Sequence, residues 1–490
     1  MQELDSSPRP ARAGAYEALH QLLGDYVTTD PLERSYYRRD LAAVPGALGA
    51  LIGRTLPDAV ARPRNTDDVV TLVKHAAAHR LPVTPRAAAT TVYWNAVPTR
   101  GGLVLDMNGM RGLIDIDEER LVASVLPSTR WQELDALLHR RGYSVLSYPT
   151  SAPAATVGGW VSMEGYGIGS LAHGGLAEQV VALEVVLPDG RVITAGAPGE
   201  PPARAFCRAE GTLGIITRVD LKIRRAPEST RSAALSFPDP AALYRAIPEL
   251  AAIQPAPYCV HFADANYQRA MRSAGFEPPS DHATVLVTFE GDSRGVAAGI
   301  AATLEIAAQR GAEVLDEHIA ESEWRERFMA LRLKRSAPTV LGAESWIGLD
   351  QLAAYACDAE RLAKRQKLSL ATYGTVVKPD EATVMSLFPC DESRAIQYVL
   401  DLSLTRQLFG TAFRRGGRPY GIGVWSSPYR ERAFSPAELT EITTRKQQLD
   451  PASIMNPGKL YSSPLLLSRP IFDIGMGFLA GVRRLSKVVS

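Results

Sequence analysis

The stretch P-V-T-P-R-A-A-A-T-T-V-Y-W-N-A-V-P-T-R-G-G-L-V-L-D, Pro82 to Asp106, decides how the rest of the chain is read. An apolar strand over Leu81–Thr84 enters a loop of small residues, Pro85 to Ala96, and a second strand, Leu103–Asp106, leaves it. Short side chains in a row let backbone N–H groups approach a ligand closely. Successive N–H groups in a turn form a nest for an anion such as a pyrophosphate. Ala87, Ala88 and Ala89 stand where such a loop ordinarily prefers glycine, which narrows the backbone angles open to it. A plain tight turn is the competing reading of this stretch taken alone.

Four further stretches extend the pattern in order. Upstream is P-D-A-V-A-R-P-R-N-T-D-D-V-V (Pro57–Val70), which reads as a strand followed by a helix. Downstream, Thr150–Gly190 carries P-A-A-T-V-G-G-W, G-Y-G-I-G-S-L-A-H-G-G and V-V-A-L-E-V-V-L-P-D-G, followed by E-G-T-L-G-I-I-T-R-V (Glu210–Val219). Near the C-terminus comes L-D-P-A-S-I-M-N-P-G-K-L (Leu449–Leu460). Together the five stretches resemble the FAD-linked oxidases of the vanillyl-alcohol oxidase type, the p-cresol methylhydroxylase (PCMH) fold group. The pattern is nearest to their D-lactate/glycolate oxidase subunits and D-2-hydroxyacid dehydrogenases.

The resemblance implies an α+β protein. A PCMH-type FAD-binding domain of two subdomains would occupy residues 1–226, and a cap or substrate domain with an antiparallel sheet residues 227–440. Residues 441–463 would return to the flavin domain, and 464–490 would form a tail. FAD would be held by Pro85, Arg86, Ala87, Ala88, Ala89, Thr90, Thr91, Asn95 and Ala96. A second set would be Thr150, Ser151, Thr156, Gly158, Gly159, Gly165, Gly167, Ile168, Gly169, Ser170 and His173, the last as a pocket wall. Gly211, Gly214, Ile215, Ile216 and Asn456 would complete the site. Covalent relatives carry a histidine in the pyrophosphate loop. Arg86–Thr91 has neither histidine nor cysteine, so the FAD is expected to be noncovalent.

Bulk properties agree with such an enzyme. A chain of 490 residues exceeds what one core supports and calls for two or more domains. Its net charge of +1 gives no electrostatic reason to expect a nucleic-acid partner. Cys207, Cys259, Cys357 and Cys390 are widely separated, with no C-x-x-C pair of the kind that holds zinc or an iron–sulfur cluster. The N-terminus lacks the apolar core of a signal peptide, and no uncharged run approaches the ~20 residues that span a bilayer. A cytoplasmic location is the expectation.

Along the chain, residues 1–14 read as a loose tail and Ala15–Leu23 as a helix. The helix Thr66–His79 is expected to be capped by Thr66, with Asp67 and Asp68 in its first turn. A further helix spans Trp131–Arg141. From about Glu228, strands at Arg231–Phe237, Tyr258–Phe262, Thr284–Glu290 and Ser369–Val377 alternate with helices at Pro240–Ile253, Arg294–Arg310 and Ser393–Leu408, as in a sheet with helices on one face. In Pro470–Val489 the residues Ile471, Ile474, Phe478, Val482, Leu485 and Val489 recur at helical spacing, with Arg483, Arg484 and Lys487 near the end. This is a candidate amphipathic helix for peripheral membrane or partner contact, although Gly475, Gly477 and Gly481 each weaken it by roughly 1 kcal/mol.

The catalytic pattern departs from the 2-hydroxyacid dehydrogenases. Where those carry H-x-G-D-G-N-x-H with metal-binding histidines, this chain has A-T-Y-G-T-V-V-K (Ala371–Lys378). Where they carry E-H-G-x-G, it has R-P-Y-G-I-G (Arg418–Gly423), so Tyr420 takes the place of the presumed base. No histidine follows His318, and no metal is expected. A phenol, with a reference pKa of about 10, needs nearby cations to act as a base. Arg414, Arg415 and Arg418 precede Tyr420, and Arg414 and Arg418 are the candidates to lower its pKa or grip a substrate carboxylate. Glu344 and Tyr373 read as pocket-lining structural residues.

The expected reaction is oxidation of a hydroxyl-bearing small molecule, such as a 2-hydroxy acid, with oxygen, a quinone, a separate iron–sulfur subunit or another carrier as acceptor. Reduction of a C=C bond, a non-redox flavin reaction and a noncatalytic FAD-binding subunit are the alternatives.

Overall fold

The computed structural model describes residues 10–42, 49, 53–328, 330–461 and 464–489. Three sheets organise them. The first has four strands in the order Val27–Thr28, Ala59–Ala61, Leu103–Asp106, Val83–Arg86. Its last three strands run parallel, and the helix Thr66–Ala78 makes the crossover between Ala59–Ala61 and Val83–Arg86. That helix buries Val69, Leu72, Val73 and Ala76, the i, i+3, i+4, i+7 face, against the sheet. Its N-cap is Asn65 rather than Thr66: the Asn65 side chain accepts from the Asp68 N–H at 2.9 Å. The expected tail 1–14 lies outside the described residues up to 9, and a helix begins at Pro10, running to Leu23.

The second sheet is antiparallel, in the order Leu113–Asp117, Val122–Val125, Ile215–Arg225, Val180–Val186, Val192–Ala195, with Tyr143–Val145 also on Ile215–Arg225. Its core holds Trp131, Leu134 and Leu138 of the helix Trp131–His139, and Trp160 and Val161 of the short helix Val157–Ser162.

The third sheet is antiparallel and has eight strands. Their order is Glu313–Val314, Ser229–Phe237, Ala283–Gly291, Cys259–Ala263, Ala371–Lys378, Glu381–Cys390, Thr339–Gly348, Arg418–Pro419. The helices Pro240–Ala251, Ser293–Arg310, Leu352–Gln366 and Ala395–Arg414 bury their apolar stripes on one face of it in a single core. Two of its long strands, Thr339–Gly348 and Glu381–Cys390, and the helix Leu352–Gln366 are absent from the sequence reading. The core-facing row of each strand holds a buried serine, Ser345 or Ser386, and the opposite row of the second mixes Thr383 with Met385 and Leu387, which obscures their alternation.

The chain then returns to the first sheet. Val83 N–H donates to Ile454 O at 2.8 Å and Asn456 N–H to Val83 O at 2.7 Å, adding residues 454–456 beside the strand that opens the loop 85–96. The buried Lys446–Asp450 pair (2.5 Å) braces this return, with Asp450 accepting from the N–H groups of Ile454 and Met455. A last helix, Arg469–Val489, packs Phe472, Met476 and Leu479 onto the cap core.

Candidate active site

Where the three sheets meet there is a cavity of about 300 Å³. Its floor is the loop after Val83–Arg86. Among the described residues, the backbone N–H groups of 88–92 have no intramolecular partner, and these residues line the cavity. Ala89 holds φ of 51° and Trp94 φ of 64°, left-handed conformations that suit glycine better. Unpartnered amides on successive cavity-lining residues are the groups from which an anion nest is built. The guanidinium of Arg86 is not part of that nest. It donates to Arg39 O (2.6 Å) and Ala96 O (3.2 Å) and ties the loop ends together.

A second wall comes from the glycine-rich segment and from Gly211–Ile216. Gly158 packs so closely on Pro127 that an added Cβ would stand 2.7 Å from the proline Cβ. Gly211, at φ of 69°, would bring a Cβ to 2.6 Å from Pro85 Cγ. Backbone therefore reaches the cavity where side chains could not be accommodated.

The roof is the polar face of the eight-stranded sheet. Register pairs Tyr373 with Met385 and Met385 with Glu344 in one row, and His261 with Thr375 and Thr375 with Thr383 in the next. The period of two along each strand aims all of these side chains into the cavity, and Tyr93 joins them from the loop. The Tyr93 hydroxyl donates to Glu344 Oε2, and burial pushes the Glu344 carboxyl up to about 7, only partly offset by that hydrogen bond. His261 hydrogen-bonds Thr375 Oγ1 at 2.9 Å, and burial lowers it to about 4, so it is neutral at physiological pH.

All of the sequence-predicted cofactor residues in 85–96 and 211–216 line this cavity, as do Thr150, Ser151, Thr156, Gly158, Gly159, Gly167 and Asn456. Gly165, Ile168, Gly169, Ser170 and His173 do not. They brace the wall from behind. Ser170 Oγ accepts from Gly167 N–H at 3.0 Å, Gly169 N–H donates to Tyr258 O, and Gly165 leaves room for the Trp160 ring. His173 stacks edgewise on Tyr258 and is lowered to about 4 by burial.

The tyrosine–arginine grouping takes a different form from the sequence expectation. Tyr420 lines the cavity, but its hydroxyl donates to Tyr166 O and accepts from Tyr166 N–H, both at 3.0 Å. Burial, reinforced by Glu344, raises its pKa further, so it stays a neutral phenol that fixes the Tyr166 turn. Neither Arg414 nor Arg418 lines the cavity. Arg418 forms an ion pair with Glu381 and lies over the Trp346 ring at 4.5 Å, and Arg414 donates to Thr411 Oγ1 at 3.2 Å. Glu381 on a neighbouring strand engages Arg418, and Thr411, one turn back on the same helix, engages Arg414. The groups that the sequence reading passed over are Tyr93 and His261, and Glu344 was read as structural. A lone carboxylate inside the strand run Val340–Ile347 is the signal that could have marked it.

A fit to FAD can be judged from the cavity itself. Ser128 Oγ and Asn456 Oδ1 border it, are buried and have no hydrogen-bond partner, as groups awaiting a polar ligand would be. With the open amides of 88–92, they match the pyrophosphate and ribitol chemistry of a dinucleotide.

Comparison with known proteins gives the class. Residues 57–196 match the FAD binding domain family, and residues 226–460 match the FAD linked oxidases, C-terminal domain. The glycolate oxidase subunit GlcD of Bacillus subtilis is 26% identical over 433 residues, 84% of this chain and 90% of that protein. The mitochondrial D-lactate dehydrogenase [cytochrome] of Arabidopsis thaliana is 26% identical over 462 residues, 90% of this chain and 79% of that protein. The solved structure of p-cresol methylhydroxylase with substrate bound superposes with a TM-score of 0.78 at 16% identity, over 93% of this chain and 98% of that one, and so shares the fold. The molecule is a flavin-dependent oxidoreductase of α+β architecture with FAD as its cofactor. It belongs to the FAD-linked oxidases.

Proposed function

We propose that the chain oxidises a small hydroxyl-bearing molecule, of which 2-hydroxy acids are the first class to test, with Glu344 as the group that removes the hydroxyl proton. FAD, when bound, supplies the hydride acceptor for the substrate carbon. The observation that carries the reading is Glu344 itself, a carboxyl raised to about 7 on the cavity face of the cap. A base with a pKa near the working pH combines a useful ionised fraction with driving force for proton uptake. Tyr93 orients the carboxyl by its hydrogen bond to Oε2, and Tyr373 and His261 close the roof beside it. The loop 85–96, residues Thr150–Gly159 and Gly211–Ile216, and Asn456 would hold FAD noncovalently, since no lining cysteine or loop histidine is present among the described residues.

The names of the two relatives support a hydroxy acid, and the GlcD name, a subunit, supports a separate electron-accepting partner. Anaerobic mixing of the purified yellow protein with glycolate, D-lactate and longer 2-hydroxy acids tests the reading. Loss of the oxidised-flavin absorbance is the expected result. A flavin that stays oxidised with every hydroxyl compound offered would overturn it.

A further inference from the structure

A second cavity, of about 130 Å³, adjoins the first. The two share Val92, Tyr93, Leu331, Glu344 and Met385, so the Glu344 carboxyl stands at the junction between them. On the first side backbone amides, threonines and tyrosines stand among alanines, prolines, methionines and isoleucines. The second is lined chiefly by Leu341, Ala343 and Leu387 from the sheet, Leu402 and Phe409 from the helix Ala395–Arg414, and Trp94 and Trp425, with Lys334, Thr339, Tyr398 and Thr405 as its polar members. All of the apolar groups but Leu387 belong to or pack on the main cap core, where side chains ordinarily fill all available space.

An apolar cavity of about 150 Å³ stays dry and takes up a benzene-sized guest. Its position beside the one carboxyl that the proposed reaction uses gives this space a use in recognition. We propose that it is a substrate subsite: it takes the apolar arm, about six carbons long, of a hydroxyl compound whose hydroxyl is held at Glu344. This rests on the reading of Glu344 as the proton acceptor. It narrows the substrate from hydroxyl compounds in general to those with an apolar chain or ring next to the carbinol carbon. Glycolate and lactate, which have no such arm, would leave the subsite empty.

The test uses the FAD-loaded full chain and three probes: lactate, 2-hydroxyoctanoate and 3-phenyllactate. With the parent, kcat/KM for the two long acids is expected to exceed that for lactate by about tenfold or more, as burial of several methylene groups requires. Ala343→Leu, on the sheet wall, and Leu402→Phe, on the helix wall, each reduce the space. Both are expected to collapse that long-to-short ratio by at least about tenfold. Two variants on separate elements guard against one of them failing to fold. A parent that prefers lactate, or a ratio that survives in both variants, would overturn the subsite.

If no acid reduces the flavin, n-hexanol serves as the probe, read by the fluorescence of Trp94 and Trp425. Saturable binding to the parent that is lost in both variants would keep the subsite and overturn the oxidation reading. Absence of hexanol binding would overturn the subsite.

Discussion

At the scale of single residues, Glu344 is the position on which the chemistry turns. Its carboxyl is raised from the ordinary 4.5 to about 7, chiefly by burial. A group raised in the folded state stabilises the fold fully below its unfolded pKa, and that contribution is lost as pH rises through about 7. Glu344→Gln, which cannot ionise, is therefore expected to gain on the parent as pH increases. Urea unfolding at pH 5 and pH 8 should show the difference move by about 1–3 kcal/mol in favour of the variant. No such movement would mean that Glu344 is not held in a desolvated state.

Tyr420 gives the opposite case. Its hydroxyl satisfies both the N–H and the C=O of Tyr166. Tyr420→Phe should cost about 1–3 kcal/mol of stability through the backbone groups left unpaired, and leave the pH profile of flavin reduction unmoved. The motif R-P-Y-G-I-G put Tyr420 in the site, and the site does contain it. What sequence could not supply was the partner of its hydroxyl, since Tyr166 lies 254 residues away. For the same reason Arg418 read as a free cation: Glu381, which holds it, lies on a strand that the sequence pattern hides.

At the scale of elements, the cavity-lining loop 85–96 was legible because its pattern is local: small residues between two apolar strands. The helix Thr66–Ala78 was legible by its period, and only its cap was misplaced by one residue, because Asn65 and Thr66 both have capping side chains. The cap strands Thr339–Gly348 and Glu381–Cys390 were not, because one face of each is apolar and the other, aimed at the cavity, mixes Glu, Thr and Met. The alanines of the loop remain its most distinctive feature. Ala89 holds φ of 51°, which costs an L-residue about 1–2 kcal/mol relative to glycine. Ala89→Gly is expected to raise stability by about 0.5–1 kcal/mol in chemical denaturation of the FAD-loaded protein, the gain being reduced by the greater freedom of glycine when unfolded. A loss of stability would show that the Ala89 methyl contributes packing that outweighs its strain.

At the scale of the whole molecule, the three sheets meet around the candidate active site, and the C-terminal helix does not line it. No helix of the described residues is long and apolar enough to cross a membrane. The helix Arg469–Val489 forms despite three glycines, because its inner face is anchored: Phe472 and Met476 are buried, and Arg406–Asp473 and Arg483–Asp401 tie it to the helix Ala395–Arg414. Its outer face leaves Ile474, Phe478 and Leu485 each about 70% exposed, with Arg484 beside them. Exposed apolar side chains beside a cation are the groups through which a helix would contact an anionic membrane surface. Sedimentation with vesicles containing phosphatidylglycerol should recover the parent and leave the Ile474→Asp/Phe478→Asp double variant in the supernatant. Equal recovery of both would show that this face makes no such contact.

The most direct measurement is the anaerobic rate of flavin reduction by a saturating 2-hydroxy acid, followed from pH 5 to pH 9 in the parent and in Glu344→Gln. With Glu344 as the proton acceptor, the parental rate rises through about 7 to a plateau as the carboxylate forms, and the variant is about 100-fold slower or worse with a flat profile. A variant that reduces its flavin at the parental rate, with the same dependence on pH, would contradict the assignment of Glu344.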